Sequence, residues 1–125
     1  MSEAAQSDEE FAGLNAAGLL AKLGGDKGLL LEIIELFRSE APILLNALRE
    51  RARSGNAPDV ALAAHVLKGS AANFGRNPLY ELTRAIEHGA RAGDLSALEE
   101  QMARLELTAG GFLQALAQME REVRA

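Results

Sequence analysis

LSALEEQMARLELTAGGFLQALAQMEREV, residues 95–123, is the stretch that decides the fold class. Leu95, Leu98, Met102, Leu105, Ala109, Phe112, Leu116, Met119 and Val123 recur at alternating spacings of three and four. That period belongs to one face of an α-helix and to no strand. Gly110 and Gly111 each weaken helix propensity by roughly 1 kcal/mol relative to Ala. The period runs straight through them, so the spacing predicts one long helix, weakened or bent at that point. Gly93-Asp94 is expected to close the preceding helix and cap this one.

Working outward, the same 3.6-residue logic reads the rest of the chain. Asn15 can cap a short helix, Ala16 to Leu23, stopped by Gly24-Gly25. From Asp26 a long stripe of Leu30, Ile33, Phe37, Ala41, Leu44 and Leu48 keeps phase across Pro42, which predicts one kinked helix. Ser54-Gly55-Asn56 reads as a turn, and Pro58 suits a first helical turn. The next helix carries Val60, Ala63, Leu67, Ala71 and Phe74 and ends at Gly75. Asn77-Pro78 opens another, with Leu79, Leu82, Ile86 and Gly89, which runs to about Ala92. No strand-like alternation appears. The expectation is an all-α, up-down antiparallel four-helix bundle with a short extra N-terminal helix. Residues 1–10 lack any apolar period and read as a disordered tail, leaving 11–125 as one domain.

Composition narrows the function classes. The chain has no cysteine, which removes disulfides, thiolate metal sites and cysteine nucleophiles. A net charge of −5 argues against binding nucleic acid, which needs a basic face to displace counterions. The longest apolar run, Leu29 to Leu31, cannot span a bilayer, and Met1 to Glu10 has neither the basic nor the apolar part of a signal peptide. A cytoplasmic monomer is the expectation, and the terminal Met and last repeat suit a stand-alone protein. Gly24-Gly25-Asp26-Lys27-Gly28 lacks the spacing and hydroxyl residue of a phosphate-binding loop and reads as a turn.

The chemistry concentrates in Ala64-His65-Val66-Leu67-Lys68-Gly69-Ser70-Ala71-Ala72-Asn73-Phe74-Gly75. At about 100° per residue, His65 lies about 200° from Leu67, on the side away from the apolar stripe. Its helical neighbours are Ala61, Lys68, Gly69 and Ala72, a patch of small side chains with one cation. Most helix-surface histidines are only solvated. Here Gly69, costly inside a helix, clears space for another molecule one turn from the ring. Lys68 can reach an anionic group carried by the imidazole. An imidazole is partly neutral near pH 7, so a ring nitrogen can attack phosphorus.

The chain resembles the histidine-phosphotransfer domains of two-component phosphorelays. Their motif is a helix bearing Ala-His-x-Leu-Lys-Gly-Ser, then small residues and a glycine. His65, Lys68, Gly69, Ser70 and Gly75 match it residue by residue. The likeness extends to Leu23-Gly24-Gly25-Asp26, to Leu36-Phe37 with Glu40-Ala41-Pro42, to Ala85-Ile86-Glu87 and to Ala92-Gly93-Asp94. Asn73, Phe74 and the Gly110-Gly111 pair depart from it.

The resemblance implies that His65 is phosphorylated, that Lys68 sits near the phosphoryl group, and that Gly69 clears space for a docking receiver domain. Ala61 and Ala72 would border the same docking patch, and Ser70 would support the site. Glu87 would hold the imidazole, with Arg91 a turn later; a plain i,i+4 surface ion pair explains those two equally well. The implied reaction is reversible transfer between His65 and an aspartate of a receiver domain, or from a hybrid histidine kinase. No nucleotide-binding segment accompanies it, so a phosphocarrier without ATP-dependent kinase activity is expected. No cofactor is expected on this chain, with Mg²⁺ on the partner receiver. A metal site from His65, Glu87 and His88 is geometrically poor, since adjacent helical residues point about 100° apart. The alternatives are a helical adaptor that binds a signalling partner without phosphotransfer and, with less support, an enzyme using His65 as general base.

Overall fold

A computed structural model describes residues 14–125, which form five α-helices and no strand. The expected tail at residues 1–10 lies outside the described residues, as do the first three residues of the expected domain. The helices are α1 (Ala16–Lys22), α2 (Lys27–Ser54), α3 (Ala57–Ala71), α4 (Pro78–Arg91) and α5 (Leu98–Arg124). Side-chain caps open the first four. Asn15 accepts from Gly18 N, Asp26 from Leu29 N, Asn56 from Asp59 N and Asn77 from Tyr80 N. Each satisfies an amide that the helix itself leaves unpaired.

α5 buries the face read from its period. Leu98, Leu105, Ala109, Phe112, Leu116, Met119 and Val123 are all in the core, with Leu95 and Met102 packed against it. The helix is continuous through Gly110-Gly111. It begins later than expected, however. Asp94 accepts from Ser96 N and holds a turn, while Ala97 opens the helix with no side-chain cap. α2 likewise remains one helix across Pro42. Pro42 and Arg38, whose carbonyl the proline deprives of its partner, are both exposed, so water can take that acceptor. The buried face of α2 is rotated from the expected one. Ile34 and Leu45 are buried, and Ile33 and Leu44 only partly so.

α3 packs most extensively on α4 and next on α2; α5 lies against α4 and α2, and α1 rests on α2 and α5. At the centre Phe37, Phe74 and Phe112 meet edge-to-face, with ring centroids 5.2–5.6 Å apart. That geometry sets positive ring edges against negative faces. One corner matters for the site. α3 does not run as an α-helix to Gly75; it ends at Ala71 and tightens into a 3₁₀ turn, Ala72–Phe74. The Asn77 amide donates to the carbonyls of Ala71 and Gly75, and Gly75 takes φ +79°, a conformation favouring glycine. This corner returns the chain along α3 as α4. Among the described residues no helix is long and apolar enough to cross a membrane.

Candidate functional site

His65 stands on the outer side of α3 with 54% of its side chain exposed. Leu67, about 200° around the helix, is fully buried. Ala61 corrects the expected patch: it is 6% exposed and belongs to the core, so it offers no docking surface. α3 buries Ala61 and Ala64 as well as Leu67 because it is covered by both α2 and α4. Gly69 and Ala72 are exposed, Ala72 within the 3₁₀ turn rather than on the α-helix. A Cβ built on Gly69 would meet nothing within 4 Å outside its own helix. The free chain therefore does not need glycine there for space. Ser70 is half-buried and makes no side-chain hydrogen bond among the described residues.

Across from α3, α4 supplies the carboxylate that organises the site. Glu87 is 5% exposed, and its Oε2 lies 3.1 Å from His65 Nδ1. The same oxygen receives Arg91 Nε at 2.7 Å and Nη2 at 2.6 Å. Oε1 has the Lys68 ammonium 2.8 Å away as its only partner among the described residues. The i,i+4 pair of Glu87 with Arg91 thus exists, but it is not a surface pair: its acid is buried and also holds His65 and Lys68. Burial alone would push the Glu87 carboxyl up. Hydrogen bonds from Lys68, Arg91 and His65 outweigh it and hold the group down at about 2.

An anionic carboxylate can only accept, so His65 Nδ1 must carry the proton it shares with Glu87. In the neutral imidazole Nε2 is then the nitrogen with a free lone pair. No described residue hydrogen-bonds it. The arrangement thus fixes the tautomer, restrains the ring and leaves one nucleophilic nitrogen available in a half-exposed position.

A cleft of about 510 Å³ adjoins this cluster on the α4 side, lined by Lys68, Glu81, Arg84, Glu87, His88 and Arg91. Sequence reasoning did not single out Arg84 or assign His88 a place; only the packing of α4 beside α3 brings them next to Lys68. Among the described residues no group of three or more His, Asp and Glu side chains is arranged to hold a metal ion.

The depressed Glu87 pKa carries a pH signature. In the unfolded chain this carboxyl titrates near its ordinary 4.5, and in the folded chain near 2. Its stabilising contribution is therefore complete above about pH 4.5 and is lost as pH falls through about 2. Between pH 6 and 2.5, Glu87→Gln should lose on the order of 1–3 kcal/mol less stability than wild type in urea titrations. Parallel pH dependences would show that Glu87 ionisation is not linked to folding.

Comparison with known proteins adds one finding. A family model described as "Hpt domain" matches residues 32–124, which include every residue of the cluster on α3 and α4. No curated protein and no solved structure matched the chain.

Proposed function

Because the chain belongs to the Hpt domain family, whose members carry phosphoryl groups on histidine in two-component signalling, we propose that His65 is its phosphorylated residue. One observation carries the assignment: Glu87 accepts from His65 Nδ1 and so leaves Nε2 as the nucleophile. In the forward step Nε2 attacks the phosphorus of a receiver's phosphoaspartate. The N–P bond forms, the acyl P–O bond breaks, and the aspartate leaves as carboxylate. The ring gains positive charge while Nδ1 keeps its proton, and the fixed Glu87 carboxylate stabilises that charge without reorganising. The reverse step delivers the group to another receiver aspartate. Mg²⁺ belongs to the receiver in this reading, and His65 needs no ATP site of its own. The reading takes the protein as a cytoplasmic monomer whose four longer helices form an up-down antiparallel bundle.

Lys68 and Gly69 have separate parts. The Lys68 ammonium rests on Glu87 in the unphosphorylated protein and is only 23% exposed. It can exchange part of that contact for the equatorial oxygens of the transferring group, a trade of one anion for another. Gly69 leaves open space one turn from the ring, which a docked receiver can occupy. Gly110 is equally open, so openness alone assigns no role; adjacency to His65 does.

The test is single-turnover transfer from a panel of phosphorylated receiver domains, with label located on His65. Failure of every receiver to label it would sink the proposal. With a receiver that works, Lys68→Ala should slow transfer about ten- to a hundredfold, as expected for a lost charge-assisted contact of roughly 1.5–3 kcal/mol. Affinity should change less. Gly69→Gln should raise stability slightly while weakening receiver binding. Wild-type binding by Gly69→Gln would defeat the clearance argument, and a pure affinity loss in Lys68→Ala would defeat its role in transfer.

A further inference from the structure

Two unlike surfaces flank His65. On α3, Leu62 and Val66 are 65% and 46% exposed, one just before the histidine's turn and one beside it. Between α3 and α4 lies the cleft lined by Lys68, Arg84, His88 and Arg91. Its charge is unbalanced. Lys68, Arg91, Arg84 and the neighbouring Arg76 share only two carboxylates, Glu87 and Glu81. Arg84 is the least engaged, 3.9 Å from a Glu81 oxygen that belongs to a carboxylate already held by Arg76 at 2.7 Å. A cationic surplus beside His65 stands out on a chain whose net charge is −5.

We infer that the docking face is polarised: the partner lays an apolar patch on Leu62 and Val66 and presents carboxylates to the α4 cleft at Arg84, His88 and Arg91. This rests on the phosphotransfer reading and adds the partner's orientation and chemistry to it. Charge complementarity selects an acidic protein surface for the cleft, and an apolar contact beside it excludes water from the reacting nitrogen. The two halves contribute differently. Exposed charges at a rim steer encounter and are screened by salt, whereas apolar contacts govern dissociation.

The probe is the receiver domain that labels His65 fastest in the panel. Its association and dissociation rates are measured at several salt concentrations. Arg84→Glu should weaken binding about tenfold, mainly through slower association, and should flatten the salt dependence. Arg84→Gln should fall between it and wild type. Leu62→Ala should weaken binding through faster dissociation with the salt dependence unchanged. Arg53→Glu, at the end of α2, serves as a charge control and should leave the salt dependence as in wild type. If Arg84→Glu and Arg84→Gln bind with wild-type rates and salt dependence while His65 is still labelled, the polarised face is wrong and the phosphotransfer reading stands. If no receiver labels His65, both fall together.

Discussion

His65→Gln should abolish phosphoryl labelling of this protein while leaving its fold and receiver binding close to wild type. The side chain is more than half exposed, and its bond to Glu87 is one of several that the carboxylate receives, so its loss should cost little stability. Glutamine keeps a donor for Glu87 but supplies no nucleophilic ring nitrogen. The wild-type label should be acid-labile and alkali-stable, the behaviour of an N–P bond. Label that persists in His65→Gln, or that maps to His88 in the wild type, would place the chemistry elsewhere. His88 is exposed on α4, which makes it the informative control.

The largest effect on folding is expected at Phe37. Its ring meets both Phe74 and Phe112 edge-to-face, at 5.4 and 5.2 Å, and is 1% exposed. Phe37→Ala removes those contacts and opens a cavity between α2, the turn after α3, and α5. Such truncations cost about 3–5 kcal/mol, which corresponds to a fall in Tm of roughly 10–25 °C for a domain of this size. Phe37→Leu, which keeps most of the volume, should cost less than half as much. A Tm shift of only a few degrees in Phe37→Ala would mean that the three rings do not form the mechanical centre of the fold.

α5 was readable because one alternating three-four series runs its whole length, while the large apolar residues outside it, Leu107 and Leu113, form no such series of their own. α2 was less so. Ile33 is followed by Ile34 and Leu44 by Leu45, and periodicity cannot choose between apolar neighbours; the position of the packing helices does. Ala61 was misplaced for a related reason, since alanine is at home on either side of a helix surface. His65, Lys68 and Gly69 were legible from their order on one helix and from the family resemblance. Glu87 was ambiguous because Arg91, four residues on, already explains an acid there. Its reach to His65 and Lys68 depends on how α4 lies against α3, as does the inclusion of Arg84 and His88 in the cleft. Asp94 was read as a helix cap from its residue type; it instead accepts from Ser96 N and holds the turn before the helix, which Ala97 opens without a side-chain cap.

The corner between α3 and α4 bears on how the reactive pair comes together during folding. Asn77 ties the carbonyls of Ala71 and Gly75 with its amide and the Tyr80 amide with its oxygen, so one side chain both ends one helix and starts the next. His65 and Glu87 are only 22 residues apart, joined through that corner. Closing that span costs roughly 1 kcal/mol less chain entropy than joining α2 to α5, whose Arg38–Glu120 bridge links residues 82 apart. The geometry of the nucleophile is thus written into a chain-local hairpin spanning residues 57–91. Fraying at the far end of α5 should leave Glu87 beside the imidazole, because the hairpin that carries both is joined through its own local contacts at the Asn77 corner.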